Sequence, residues 1–129
     1  MAAGKYNFTI EQGATFRRTF KYKDAEGTPI TLSDKDTTMQ IRDTINSKDF
    51  IVSITETGTT RQDGSTTTNT IFTISDQAIN AGEFQLTIDA DTTASMSFDT
   101  AVYDIEIENN SLVTRLLQGK IKLSKEVTR

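Results

Sequence analysis

The stretch Asp99-Thr100-Ala101-Val102-Tyr103-Asp104-Ile105-Glu106-Ile107 decides the fold class. Successive side chains of an extended chain point to opposite faces, so Ala101, Tyr103, Ile105 and Ile107 share one wall while Asp104, Glu106 and Glu108 share the other. That is a strand with one wall in a core and one in water. Downstream, Asn109-Asn110 reads as a turn and residues 112–123 as the partner strand, with Leu117, Ile121 and Leu123 on the inner face. Gly119 falls among them and marks a bulge or a close backbone approach. Lys120 and Lys122 are placed to pair with the acidic row of the neighbouring strand.

Upstream, Asp91-Thr92-Thr93-Ala94-Ser95-Met96 reads as a capped helical turn that lays Met96 and Phe98 over one end of the core. Phe84, Leu86 and Ile88 alternate as a further strand. Asp76-Gln77-Ala78-Ile79-Asn80-Ala81 reads as another single helical turn, capped by Ser75 and ended by Gly82. Ile71-Phe72-Thr73-Ile74 answers Phe50, Val52 and Ile54 across an expected antiparallel hairpin. The connection between them, residues 57–70, is polar and threonine-rich, with Asp63-Gly64 at its tip. It is expected to project from the body as a twisted two-stranded ribbon or a mobile loop, and Thr59, Arg61, Asp63, Gly64 and Thr67 are its candidate subunit-contact residues.

At the start of the chain, Tyr6, Phe8 and Ile10 alternate with polar residues and stop at Gln12-Gly13. Phe16, Phe20 and Tyr22 share the inner face of the next strand, which Arg18 interrupts; a guanidinium there is expected to snorkel to solvent. Asp24-Ala25-Glu26-Gly27-Thr28-Pro29 is a turn, Ile30 and Leu32 a short return strand, and Ser33-Asp34-Lys35-Asp36 a capped turn before Met39 and Ile41. Roughly eight or nine strands at regular spacing with no long helix predict an all-β fold. The expected architecture is an immunoglobulin-like antiparallel β-sandwich with a projecting hairpin and one or two short helical turns, residues 1–129 forming a single domain. A small barrel is the alternative.

Composition narrows function by exclusion. The 129 residues include no cysteine and no histidine, which removes the thiol nucleophile, the commonest general base and the usual transition-metal ligand. Threonine supplies 23 positions and proline one, a balance that suits pleated, half-exposed strands. A formal net charge of −4 with mixed signs argues against a nucleic-acid partner. The first residues lack an apolar signal core and no run is long enough to span a bilayer, so no membrane partner is expected. Asp34 with Asp36 and Asp89 with Asp91 have the spacing of hard-cation ligands, yet neither continues as a calcium loop and both sit where turns favour Asp. No phosphate loop or serine elbow is present. No catalytic, cofactor-binding or metal-binding residue is assigned, and no cofactor is expected.

Asp99, Ala101 and Tyr103 resemble the tyrosine corner of immunoglobulin domains, in which the hydroxyl bonds back to nearby backbone. Where antibody domains carry a cysteine two residues on, this chain has Ile105. A second resemblance spans most of the chain. Tyr6-Asn7-Phe8-Thr9-Ile10-Glu11-Gln12-Gly13-Ala14-Thr15-Phe16 resembles the opening of small tailed-phage virion proteins. Tyr103-Asp104-Ile105-Glu106, Val113-Thr114-Arg115-Leu116-Leu117-Gln118-Gly119 and Leu123-Ser124-Lys125-Glu126-Val127-Thr128-Arg129 resemble their closing hairpin. Gly27-Thr28-Pro29-Ile30-Thr31-Leu32 and Met39-Gln40-Ile41-Arg42 are similar to the same proteins and to the N-terminal immunoglobulin-like domain of phage upper baseplate proteins.

The resemblance implies a non-enzymatic virion structural protein, a tail, baseplate or neck adaptor acting through protein–protein contacts. Its implied partners are other virion structural proteins, in multiple copies within a symmetric assembly put together in the host cytoplasm. Upper baseplate proteins continue into a further region where this sequence stops at Arg129, which leaves a freestanding adaptor or a capsid or tail decoration protein as expectations. A carbohydrate-binding host-attachment module is the alternative of a different class. It needs an exposed aromatic platform, whereas Tyr6, Tyr22 and Tyr103 all phase inward.

Overall fold

The computed structural model describes residues 4–33 and 35–127. Alternation along the chain becomes two sheets that share one core. The larger holds β1 (Gly4–Lys5), β2 (Phe8–Glu11), β4 (Asp36–Arg42), β5 (Val52–Ile54), β6 (Thr59–Arg61), β7 (Thr66–Thr67), β10 (Thr100–Asn109) and β11 (Leu112–Ser124). The smaller holds β3 (Phe16–Lys21), β8 (Ile71–Ile74) and β9 (Glu83–Ile88), and the chain crosses from β9 to β10 through one short helix, α1 (Ala90–Ala94).

In the larger sheet the order runs from β11 through β10, β4, β5 and β6 to β7, with β1 and β2 successively along the outer edge of β11; the smaller runs β3-β9-β8. A hairpin of two late strands flanked by an earlier one, extended by further edge strands and faced by a three-strand sheet, is the arrangement of a variable-type immunoglobulin sandwich. The fold is all-β, as the alternation predicts. Its pairing needs one correction. β1 and β2 run parallel to β11, so the larger sheet is mixed rather than antiparallel throughout.

The core gathers the inward row of each strand. Met39, Ile41, Ile54, Leu86, Ile88, Ile105 and Ile121 are all fully enclosed, each worth about 1.5–3 kcal/mol of apolar burial. Aromatic rings tie the sheets together: Phe8 of β2 stacks on Phe16 of β3 at 4.9 Å between centroids and leans on Tyr103 of β10 at 5.0 Å. Ile105 occupies the position of an inter-sheet cysteine and holds it by packing alone.

Three local expectations change. First, β5 and β8 do not form a hairpin: β5 lies between β4 and β6, and β8 pairs with β9 in the opposite sheet. Both segments present an alternating apolar row, so periodicity cannot choose between partners; a single bond from the Phe72 amide to the Thr55 carbonyl, 3.2 Å, is what joins them. Second, the helix starts at Ala90 with Asp89 as N-cap, two residues before the position read from sequence. Third, the Asp76 region makes hydrogen-bonded turns in which the Asp76 side chain, not Ser75, accepts from the Ala78 amide, and no helix is assigned there. The expected capped turn at Ser33-Asp34-Lys35-Asp36 includes Asp34, which lies outside the described residues.

Arg18 has a specific place. Its guanidinium lies 5.6 Å from the Tyr6 ring centroid and 5.8 Å from that of Phe16, closing the open side between β2 and β3 by cation–π attraction while the charge stays wet.

Candidate functional site

The 57–70 connection is the first candidate. Arg61, Gly64 and Ser65 close a tight turn, with the Arg61 amide bonded to the Ser65 carbonyl at 2.8 Å and the Gly64 amide to the Arg61 carbonyl at 3.0 Å. Gly64 takes φ +88° in open space, a conformation only glycine adopts without strain. Asp63 builds the same turn from the side, its carboxylate accepting from both the amide and the hydroxyl of Ser65. Those two bonds hold its pKa below the usual carboxylate range. Asp63 and Gly64 stand exposed at the tip.

The base of this hairpin does not project. Thr59 is buried and donates to the Thr70 carbonyl at 2.6 Å. Arg61 turns back over the body, its Nε 3.0 Å from the Thr92 hydroxyl and a terminal nitrogen 3.9 Å from the Asp89 carboxylate. Thr67 is half-buried, facing Thr59 across the ladder, and its hydroxyl accepts from the Asn69 amide. The expected ribbon is therefore an edge extension of the larger sheet, and of the five residues Asp63 and Gly64 are exposed, Arg61 and Thr67 half-buried and Thr59 buried.

What Arg61 grips is a network that periodicity does not reveal. Asp89 accepts from the hydroxyls of Thr70 and Thr92, the latter at 2.5 Å, and its own amide donates to Thr70 at 2.9 Å. Thr93, also fully buried, donates to the Ala14 carbonyl and accepts from the Gly13 amide. Burial alone would raise the Asp89 pKa, but the hydroxyls of Thr70 and Thr92 and the charge of Arg61 outweigh it and leave it lowered. One carboxylate thereby ties together the hairpin, the β8 approach and α1.

At the opposite end of the strand row, the tyrosine-corner residues separate. Tyr103 is buried, and its hydroxyl donates to the carbonyl of Tyr6 at 2.6 Å, 97 positions away. The corner is corrected accordingly: the bond crosses to the first strands instead of turning back on nearby chain. Burial, with Tyr6 beside it, pushes the phenol above its usual range, so it stays a neutral donor. Ala101 is enclosed opposite Ile121. Asp99 is exposed; its carboxylate meets Lys125 at 3.0 Å and its carbonyl accepts from the Leu123 amide.

Gly119, opposite Tyr103, explains why the hydroxyl can cross. A Cβ there would lie 2.1 Å from the Tyr6 carbonyl oxygen, so the expected close approach is real. The bulge is elsewhere, between Ile105 and Glu106, where Leu116 is the extra residue in β11.

The outer face of β1, β11, β10 and β4 forms a broad concavity of about 750 Å³. Its acidic row is paired differently from the expectation. Arg115 meets Asp104 at 3.4 Å, while Lys120 stands opposite Val102 and Lys122 opposite Thr100, because the hairpin closes between Asn109 and Leu112 and so sets residues 113–118 opposite the acidic row. Arg42 is committed to the Ser47 and Lys48 carbonyls and to Gln40. Asp89 is engaged by Thr70, Thr92 and Arg61 while Asp91 is exposed, and among the described residues no cluster of three potential metal-ligating side chains exists. Asp34 of the other pair lies outside the described residues.

Glu56 supplies a pH-dependent feature. It accepts from the Thr37 amide at 3.1 Å; burial lifts its pKa, hydrogen bonding from Thr37 offsets part of that, and the charge of Asp36 adds to the rise. A carboxylate raised in the folded state contributes stability below its unfolded pKa and loses it as pH rises through the folded value. Glu56→Gln keeps the acceptor and removes the charge, so it is expected to stabilise the domain at pH 7 and to have no effect near pH 3. Solvent reaches the group and screens it, which holds the gain below about 1 kcal/mol. Urea unfolding at the two pH values reads this; equal effects at both would contradict it.

The side chains missed in the sequence are Gln12, Thr70, Thr92 and Thr93. Gln12 bridges Met96 and Glu126, donating to the Met96 carbonyl at 2.7 Å and accepting from the Glu126 amide at 2.9 Å. The available signal is compositional, namely threonines in positions where a strand or helix interior usually places aliphatics. Compared with known proteins, the chain matches no family model and no curated protein.

Proposed function

We propose that this protein is a non-enzymatic virion structural subunit, a tail, baseplate or neck adaptor that works by docking on neighbouring subunits. One observation supports it above the rest. The two segments whose sequences resemble tailed-phage virion proteins lie at opposite ends of the chain yet pair with each other: Phe8 is in register with Ile121 and Ile10 with Leu123, and the Gln12 amide bonds to the Ser124 carbonyl at 2.9 Å. The resemblance thus falls on one continuous unit of structure. The polar groups with catalytic potential, Asp89, Thr70, Thr92 and Arg61, are spent on one another, which leaves strand edges, the outer concavity and the Asp63-Gly64 tip as working surfaces.

Mass spectrometry of purified particles from the phage that encodes the chain tests the reading. The expected result is a fixed stoichiometric copy number per particle. Absence from particles, with the protein present in the infected-cell lysate, overturns it.

A further inference from the structure

Among the described residues, three aspartates accept from the amide two residues ahead: Asp24 from Glu26 at 3.0 Å, Asp63 from Ser65 at 2.9 Å and Asp76 from Ala78 at 3.0 Å. Of every aspartate and asparagine in the sequence, Asp63 alone is followed by glycine. That difference is chemical. An aspartyl side chain and the backbone nitrogen of the next residue can close a cyclic imide, and the next side chain is what ordinarily obstructs the closure. Gly64 has none, and it stands in open space at φ +88°.

The fold sets two restraints against this reactivity. The attacking nitrogen is engaged, since the Gly64 amide donates to the Arg61 carbonyl at 3.0 Å. The carboxyl group is engaged as well, because the Ser65 hydroxyl donates to it at 2.6 Å beside the Ser65 amide. Donors to the charged form keep a carboxylate ionised, and the imide closes from the acid form, which can release water.

We propose that the Asp63–Gly64 link is a site of spontaneous isomerisation that the Ser65 hydroxyl holds in check. The Gly64 nitrogen bonds to the side-chain carboxyl carbon of Asp63, and the acid's hydroxyl leaves with the amide proton as water, forming a succinimide. Water then adds back. Attack at the side-chain carbonyl restores aspartate, whereas attack at the former backbone carbonyl breaks its bond to the Gly64 nitrogen and leaves isoaspartate, with one more carbon in the backbone. Water is the only co-reactant. The bond from the Arg61 amide to the Ser65 carbonyl, 2.8 Å, spans the altered link, so isoaspartate undoes the turn. The base stays held by Arg61 on Thr92 and Asp89, which confines the change to the tip.

The inference goes beyond the virion reading and is separable from it: the reaction belongs to the isolated chain, so absence from particles leaves it untouched and a stable tip leaves particle incorporation untouched. Incubation in heavy-oxygen water at pH 5 and 37 °C tests it, because each passage through the imide adds one heavy oxygen atom, which peptide mapping locates. The full chain unfolded in guanidinium chloride is expected to label fastest at Asp63, and the folded parent slowest. Folded Ser65→Ala is expected to label about fivefold faster than the parent, the scale of one lost hydrogen bond. Ser65→Thr, which keeps the hydroxyl, is expected to return to the parent rate, and Asp24 and Asp76 to stay unlabelled in every folded sample. Circular dichroism verifies that the variants are folded. No label at Asp63 in the unfolded chain, a folded parent as fast as the unfolded chain, or equal rates for Ser65→Ala and the parent overturns the proposal.

Discussion

Gly119→Ala is expected to destabilise the domain by roughly 3 kcal/mol, a drop of about 10 °C in melting temperature. The added methyl would lie 2.1 Å from the Tyr6 carbonyl oxygen and 2.8 Å from the Asn7 side-chain oxygen, neither a contact that atoms tolerate. Tyr6 meets Gly119 through its backbone, so relief requires the first strands to move away from β11. Three hydrogen bonds go with them: Tyr6 amide to Gln118 carbonyl at 3.0 Å, Tyr103 hydroxyl to Tyr6 carbonyl at 2.6 Å, and Lys120 amide to Asn7 at 2.9 Å. Each contributes about 1 kcal/mol. Tyr103→Phe removes only the second and is expected to cost about 1–1.5 kcal/mol. Urea unfolding gives the magnitudes, and amide exchange locates them: residues 5–8 should lose protection in Gly119→Ala while β9 keeps it. A variant within about 0.5 kcal/mol of the parent would show that the close approach is not what the glycine serves.

That crossing also shows where sequence stops being informative. The alternation around Tyr103 identifies a strand with one buried wall, and a glycine in the inner row of its partner signals that backbone comes near. Neither says which backbone. Tyr6 is the answer because β1 and β2 run parallel to β11, and parallel pairing of distant segments leaves no short turn to announce it. The same blindness explains β5 and β8. Val52 and Ile54 alternate as well as Phe72 and Ile74 do, so the assignment to opposite sheets depends on how residues 55–70 fold, and these fold through Thr59, Arg61 and Thr70. A threonine in a polar run reads as solvent-facing. Here Thr70 and Thr92 are enclosed because hydroxyl and carboxylate satisfy each other, a fact of three-dimensional pairing that no period records. The tip is legible for the opposite reason: Asp63-Gly64 is set by local chemistry alone.

Asp89→Ala is expected to cost about 3 kcal/mol, the other large effect, and to release the candidate contact hairpin. Without the carboxylate the enclosed hydroxyls of Thr70 and Thr92 lose the acceptor they share, and a buried donor without a partner costs about 1–3 kcal/mol. Arg61 loses its counter-charge at the same time, so amide exchange across residues 59–67 should accelerate along with the global loss. Asp89→Asn separates charge from shape. It preserves an acceptor oxygen, so at pH 7 it is expected to be milder, about 1 kcal/mol. The depressed pKa of Asp89 fixes the direction of its pH dependence: a group held below its unfolded value, about 3.9, contributes stability above that pH and loses it as pH falls through the folded value. Parent and Asp89→Asn should therefore differ at pH 7 and converge in acid, where a protonated aspartate and an asparagine are nearly alike. Glu56 has the opposite sign: both gaps open as pH rises, but Glu56→Gln is expected to lie above the parent at pH 7 and Asp89→Asn below it, so single-variant melts in acid and at pH 7 tell the two carboxylates apart. A constant gap for Asp89→Asn across that range would mean that the charge is not what the threonines hold, and would return Arg61 and the hairpin to a free surface.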